Sequence, residues 1–263
     1  MLWFSRKCPV DDETREWMDH SFQWLIDELG ADVLLGAEVI LPTEEFFPDV
    51  YNGSEASIRK MAERICQFMD VDPEMIVLQF FEGEGRERIH PLAADGEGRT
   101  HALGTYHMNR RGKYSMSLNT DQATNPEMMV ATIAHELGHV ILLGEGRLDE
   151  DYEAHEPLTD LLTVVYGMGI FNANSSFVFE QWTNQQFQGW SASGAGYLSE
   201  EAFGYALALY AHLRGEVKPE WAKHLKTNLR AYLNAGTKFI KKNGTSVQVS
   251  LQEDSPVRDG SPV

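Results

Sequence analysis

Cysteine is nearly absent from the chain: Cys8 and Cys66 are the two in 263 residues. Two thiols are too few for the disulfide framework of a small secreted domain, so we expect a reducing compartment. Basic residues are also scarce, with 22 Lys and Arg against 40 Asp and Glu and a formal net charge of -18. Because nucleic acid and anionic membranes would repel such a chain, neither is expected as a partner.

Long hydrophobic runs are absent as well. No stretch reaches the ~18 consecutive apolar residues that a membrane span requires, so we predict no transmembrane segment. The N-terminus meets Pro9 and then the acids 11–13 before an apolar segment of signal length develops, and we expect a cytoplasmic protein without a secretory signal. The hydrophobic share of 43% is ordinary for a globular chain, which predicts that most of it folds.

Apolar residues at helical spacing predict several helices outside the central region. The clearest segments are 12–29, 55–69, 198–213 and 220–239. Gly30 stands where the first of these should stop.

The segments between these helices have other patterns. A short apolar run predicts a strand at 75–81, and the Gly, Glu and Arg residues of 82–99 predict an exposed loop. Residues 243–263 have the composition of a disordered tail.

Two short segments, 105–108 and 113–119, flank a turn at 110–112 and predict a hairpin. In the second segment Ser115, Ser117 and Asn119 alternate with apolar residues. Alternation of period two gives one wet and one buried face, so we expect this strand at or near a sheet edge.

The sequence NPEMMVATIAHELGHVILLG, from Asn125 to Gly144, predicts a helix with its own start and stop signals. Thr124 or Asn125 can cap its N-terminus, and Pro126 suits the first helical position. Gly144 can close the C-terminus. Most other positions are apolar, so we expect this helix to be buried.

HELGH places His135 and His139 one helical turn apart on one face, where both imidazoles can reach one metal ion at about 2 Å. Glu136 lies beside that face, where a carboxylate can accept a proton from water activated by the metal. The alternative is that both histidines are satisfied core residues. Buried polar groups need partners, however, and a metal ion supplies one.

Catalytic zinc has three protein ligands and an open position, so a third ligand is expected downstream. The segment HEPLTDLLTVVYGMGI begins another apolar helix, with Glu156 at its start and Asp160 one turn on. We predict Glu156 as the ligand and Asp160 as the group that orients a ligand histidine through its second ring nitrogen. His155 is an alternative ligand, and the spacing also permits Asp149 or Asp160.

HELGH at 135–139 followed by EPLTD at 156–160 resembles the gluzincin group of zinc metallopeptidases, whose pattern is HExxH followed by ExxxD. The resemblance implies that His135, His139 and Glu156 bind one zinc ion and that Glu136 is the general base. It implies for Asp160 the orienting role just given.

The resemblance also extends to the substrate. It implies that the strand before the motif helix pairs with an extended peptide, which makes Ser115, Ser117 and Asn119 substrate-binding candidates. Members of such families commonly use a Tyr or His to stabilise the oxyanion, and Tyr205 and His212, with His224 and Tyr166, are candidates here. Residues 1–100 and 170–263 carry no such resemblance, so it implies nothing about specificity.

We therefore expect an α+β, zincin-like fold with a small sheet packed on the two metal-binding helices and helical N- and C-terminal parts. The predicted organisation is one domain over 1–245, with an N-terminal lobe at 1–100, a metal-site core at 101–175 and C-terminal helices at 176–242. The predicted function is a zinc-dependent hydrolase that cleaves a peptide or protein substrate. Alternatives are a catalytically silent zincin-like protein that binds or regulates a partner, and an interaction module in which the histidines only pack.

Overall fold

The computed structural model describes residues 7–82, 104–108, 112–149, 152–184 and 197–249. Most of the described residues are helical and a small sheet accompanies them, which agrees with the predicted α+β class. No helix among them is both long and apolar enough to cross a membrane. Residues 83–99 of the predicted exposed loop lie outside the described ranges.

The described helices are α1 (Asp12–Leu29), α2 (Ala31–Gly36), α3 (Glu55–Phe68), α4 (Pro126–His139), α5 (His155–Val165), α6 (Gly169–Asn184), α7 (Glu200–Leu213) and α8 (Thr227–Asn243). The described strands are β1 (Ile76–Phe81), β2 (Gly104–Met108) and β3 (Tyr114–Asn119). Short 3-10 turns occupy Pro73–Met75, Thr120–Gln122 and Glu220–His224, and a π-helical turn, Val140–Gly144, continues α4.

The predicted helices at 12–29 and 55–69 and the strand at 75–81 are confirmed to within one residue. The prediction of one continuous helix over 220–239 is wrong, because Leu225 and Lys226 are extended between a 3-10 turn and α8. The amide of Lys226 donates to Asn174 Oδ1 at 3.0 Å. A tertiary hydrogen bond to α6 thus accompanies the break in a segment whose local sequence favours helix.

The sheet has the order β1-β3-β2, with β1 parallel and β2 antiparallel to β3. The predicted hairpin is confirmed, since Met108 pairs with Tyr114 and Gly104 with Leu118. The prediction that β3 lies at a sheet edge is wrong. β3 is the central strand, and its predicted wet face is largely buried, with Ser115 2% and Asn119 4% exposed.

The sheet packs on one of the two predicted metal-binding helices. β2 contacts α4 and the π-helical turn after it, whereas the main contacts of α5 are with α1, α4, α6 and α7. The expected sheet-on-helix packing is therefore confirmed for α4, and α5 sits in a helical layer.

The prediction that residues 243–263 form a disordered tail is wrong for the first of them. The amide of Gln248 donates to Gln23 Oε1 on α1 at 2.8 Å, and Val247 is buried. Residues 244–249 therefore pack along α1. Residues 250–263 lie outside the part of the chain that the structure describes.

Helices α7 and α8 approach each other closely because two glycines face the contact. A Cβ at Gly204 would lie 2.2 Å from Tyr232 Cβ, and one at Gly236 would lie 2.8 Å from Ala208 Cβ. No real Cβ fits at 2.2 Å from another carbon, so the two helices depend on glycine at 204 for their separation.

We predict that Gly204→Ala lowers the free energy of unfolding by about 1–3 kcal/mol, because the added methyl group forces α7 and α8 apart. The better helix propensity of alanine, about 1 kcal/mol, offsets only part of this cost. Gly36→Ala is the matched control, since a Cβ there meets nothing within 4 Å. Urea unfolding of the three proteins checks this, and equal midpoints for the two variants would contradict it.

Both cysteines are buried. Burial, assisted by the nearby carboxylates of Glu63 and Asp72, raises the pKa of Cys66 to about 12, and burial also raises the pKa of Cys8. The thiolate is the reactive form of cysteine. Neither thiol is therefore set up to react or to bind metal in the folded chain.

We predict that a thiol-specific disulfide reagent at pH 8 labels neither cysteine of the native protein at the rate of a free thiol. For Cys66 the expected thiolate fraction at this pH is ~10⁻⁴, and access to the sulfur requires opening of the structure. In urea both thiols should react quickly. Fast labelling of Cys66 without denaturant would contradict its burial.

Candidate metal centre

Helix α4 forms where its capping signals predict. The amide of Met128 donates to the Asn125 side chain at 3.2 Å, and Pro126 occupies the first turn. Every residue from Met128 to His139 is buried. The helix therefore passes through the core, and it carries two imidazoles and a carboxylate into it.

Gly144 ends this helix through a contact with the sheet. The Tyr114 hydroxyl donates to the Gly144 carbonyl oxygen at 2.8 Å, and a Cβ at Gly144 would lie 2.6 Å from the Tyr114 ring. The first residue of β3 thus packs on the π-helical turn. This contact fixes the C-terminal end of the helix that bears His135 and His139.

The glycine inside HELGH sets the distance between α4 and α5. A Cβ at Gly138 would lie 2.7 Å from Thr159 Cγ2 and 3.5 Å from Leu162 Cδ2. Any larger residue at 138 would push α5 away. Glycine there lets the face of α5 that carries Glu156 and Thr159 approach the two histidines.

The three predicted ligands meet between these helices. His135 Nε2 lies 2.9 Å and His139 Nε2 3.5 Å from Glu156 Oε2. One ligand atom from each residue lies within 4.8 Å of the other two, and all three residues are buried. Two imidazole nitrogens and one carboxylate oxygen at such separations can hold a metal ion.

The second ring nitrogen of each histidine is held by α5. His135 Nδ1 lies 2.9 Å from Asp160 Oδ1, and His139 Nδ1 lies 3.2 Å from Thr159 Oγ1. Because the Thr159 hydroxyl donates to the His155 carbonyl oxygen at 2.8 Å, it can only accept from His139.

Both Nδ1 atoms therefore carry hydrogen, and the Nε2 atoms of both rings face Glu156, where each can bind a metal ion once it carries no hydrogen. Asp160 lies where the sequence predicted it. The sequence analysis missed Thr159, although its place one turn after His155 on the same helix face could have indicated it.

The electrostatics of the cluster follow from burial among opposite charges. Burial by itself lowers the pKa of His135, but its hydrogen bonds to Asp160 and Glu156 raise that pKa well above the usual range. Burial raises the pKa of Glu156, but the two histidines outweigh it and hold that pKa well below its ordinary value. For Glu136 burial dominates and raises the pKa.

His155 was the main alternative to Glu156 as the third ligand. Its Nδ1 is 3.7 Å from Glu156 Oε1, and its side chain is 28% exposed at the first turn of α5. The atoms that converge belong to Glu156 and not to His155. Asp160 contacts the Nδ1 side of His135, away from Nε2, and Asp149 is exposed.

The predicted oxyanion residues are placed elsewhere. The Tyr205 hydroxyl donates to Asp19 Oδ1 on α1 at 2.8 Å, and His212 is exposed in the last turn of α7. The prediction for both is therefore wrong. Tyr205 serves a buried polar contact between α7 and α1, and His212 faces solvent.

Tyr197, which the sequence analysis missed, lies at the cluster instead. Its ring centroid is 4.9 Å from that of His135. Burial, together with the charges of Glu156, Glu136 and Asp160, raises the pKa of its hydroxyl well above the ordinary value. The phenol is therefore a neutral hydrogen-bond donor beside the carboxylates. Its position two residues before the Ser199 cap of α7 gives no sequence signal for this contact.

The predicted substrate contacts through Ser115, Ser117 and Asn119 require correction. These residues lie on β3, whose backbone is paired with β1 on one side and β2 on the other. A strand with both edges occupied has no free ladder for a peptide. Pairing of a substrate with β3 is thus excluded in this fold.

We predict that the purified protein binds one zinc ion per chain and that Glu156→Ala lowers zinc affinity by more than ~100-fold, since a ligand is lost. His155→Ala is the matched control and should leave affinity within about threefold, whereas Thr159→Val should weaken binding by ~10-fold through the lost support of His139. Competition with a chromophoric chelator measures all three. A larger loss for His155→Ala than for Glu156→Ala would reverse the ligand assignment.

Comparison of the chain with models of known protein families, with curated proteins and with solved structures finds no match.

Proposed function

We propose that this protein is a zinc-dependent peptidase with a zincin-like catalytic core. The observation that carries the proposal is Glu136, which is 4% exposed and lies beside the ligand cluster. Burial raises the pKa of its carboxyl group although the charges of His139 and His135 act in the opposite direction, and it is not one of the three converging groups. A buried carboxylate with a raised pKa, beside the candidate ligands but outside their set, supports a catalytic role.

The donor set fits zinc. Two imidazoles and one carboxylate are a donor set that suits zinc, and because Nδ1 of each ring is held by α5, Nε2 of each ring is left for the metal. His135, His139 and Glu156 would hold the zinc ion, which would supply Lewis acidity to polarise a carbonyl group and to lower the pKa of water to about 7.

Glu136 supplies the proton transfers. Its carboxylate accepts a proton from the attacking water and returns that proton to the amine that leaves when the peptide C–N bond breaks. Its burial on α4, one residue from His135, keeps bulk water from competing for the carboxylate.

Tyr197 supplies a hydrogen-bond donor for the oxyanion of the tetrahedral intermediate. Its ring packs on His135, and its hydroxyl is near enough to Glu136 and Glu156 for their charges to raise its pKa. A neutral phenol donates without releasing its proton, which suits stabilisation of a developing negative charge.

A peptide substrate can pair with β2. In the described part of the sheet β2 pairs only with β3, and it packs on α4. An extended peptide added at this edge would run beside the helix that carries Glu136. The two free thiols support a reducing, cytoplasmic location.

We predict that Glu136→Gln lowers kcat/KM for peptide cleavage by ~10²–10⁴-fold while zinc binding persists, because only the proton acceptor is lost. Tyr197→Phe should lower kcat by ~10²-fold with little change in KM, since it removes a donor to the transition state. His212→Ala, an exposed change on α7, is the matched control and should behave as wild type.

A peptide library digested by wild type and the variants, with products identified by mass spectrometry, provides the assay. Full zinc occupancy with no cleavage by wild type would argue against a peptidase and for a zincin-like protein that only binds a partner. Cleavage that survives Glu136→Gln would show a different catalytic base.

A further inference from the structure

Asp160 holds two different parts of the chain with its two carboxylate oxygens. Oδ1 accepts from His135 Nδ1 at 2.9 Å, and Oδ2 accepts from the backbone amide of Leu198 at 2.8 Å. The side chain is 3% exposed, and its backbone carbonyl accepts from the Thr163 hydroxyl at 2.7 Å. The carboxylate is thus a buried bridge between a ligand histidine and the segment that leads into α7.

The Leu198 amide that Asp160 accepts from lies next to Tyr197 in the chain. Leu198 is 1% exposed and is flanked by Tyr197, whose ring packs on His135, and by Ser199, which caps α7. The hydrogen bond from the Leu198 amide to Asp160 holds the backbone between Tyr197 and Ser199, where the chain passes from the metal cluster into α7.

We propose that Asp160 couples occupancy of the metal site to the position of Tyr197, so that the tyrosine is held most tightly over the cluster when His135 binds metal. The inference rests on the metal site of the proposed function and requires no catalysis. It assigns to Asp160 a second positioning role, on Tyr197, beyond its contact with the ligand histidine.

The physical basis is the shared carboxylate. A cation bound at Nε2 draws electron density from the imidazole, which makes Nδ1–H a stronger donor and fixes the ring. The Asp160 carboxylate is then held through Oδ1, and Oδ2 stays in position to accept the hydrogen bond from the Leu198 amide. Linkage requires the reverse effect as well: order in the Tyr197 segment raises metal affinity by the same factor.

An amide at position 160 cannot perform both tasks. Asparagine has one acceptor oxygen, and its NH2 group would face whichever donor the oxygen does not bind. Asp160→Asn therefore separates the two hydrogen bonds with almost no change in side-chain volume. Thr159→Val is the matched control, because among the described residues the Thr159 hydroxyl bonds to His139 and to the His155 carbonyl oxygen, and not to residues 197–199.

Hydrogen exchange of the assigned Leu198 amide, measured by NMR on 15N-leucine protein, tests the coupling. In wild type, zinc saturation should slow exchange by about tenfold relative to the chelated protein, the size of a typical coupling between sites. Thr159→Val at saturating zinc should show the same slowing. Asp160→Asn, verified as folded by circular dichroism, should exchange quickly with or without zinc.

The outcomes separate this inference from the proposed function. Stoichiometric zinc binding with unchanged Leu198 exchange in wild type would overturn the coupling and leave the peptidase proposal untouched. Equal loss of the slowing in Thr159→Val and Asp160→Asn would also overturn it, since the effect would then follow metal affinity in general. Failure of wild type to bind zinc would overturn both.

Discussion

The close contact of α4 with α5 at Gly138 is the constraint on which the site depends. With 2.7 Å between a Cβ at this position and Thr159 Cγ2, no side chain fits, and the helices would separate if one were present. At the observed separation, α5 supplies Glu156, which with the two histidines could bind a metal ion, and the acceptors for both Nδ1 atoms. One glycine therefore allows α5 to supply a candidate ligand and both supports for the histidines on α4.

Burial of so many ionisable groups would normally destabilise a core. His135, Glu136, Glu156 and Asp160 are each 7% exposed or less. Hydrogen bonds between histidine and carboxylate offset part of the desolvation cost, which for each unpaired buried charge is several kcal/mol. They do not offset it for Glu136. A cation between the ligands would compensate the excess negative charge, and this is why the cluster is better explained by a metal site than by packing alone.

The sequence predicted what is encoded locally. Capping at Asn125 and Pro126, the four-residue spacing of the histidines, and the start of α5 near Glu156 all follow from nearest neighbours along a helix. Tyr197 was missed because its ring contact joins it to His135, 62 positions earlier in the chain, and because the neighbouring Leu198 amide is bound by Asp160 on another helix. Periodicity says nothing about such a contact. The prediction that β3 lies at a sheet edge was wrong for the same reason. The alternation along β3 does not reveal that β1 pairs with its second edge.

The central place of β3 changes what the sheet does for the site. Tyr114, its first residue, anchors the end of the helical segment after α4, and Tyr51 donates to the Ala123 carbonyl oxygen at 2.9 Å just before α4 begins. Both ends of the motif helix are therefore fixed by aromatic hydroxyls from other segments. Because β3 is paired on both sides, the proposed peptide substrate would be recognised by the edge of β2 on one side and by the Tyr197 segment on the other. The catalytic groups would then lie between a strand from the centre of the chain and a helix start from its C-terminal part. Asp160 is the buried residue that links the segment before α7 to the candidate ligand His135.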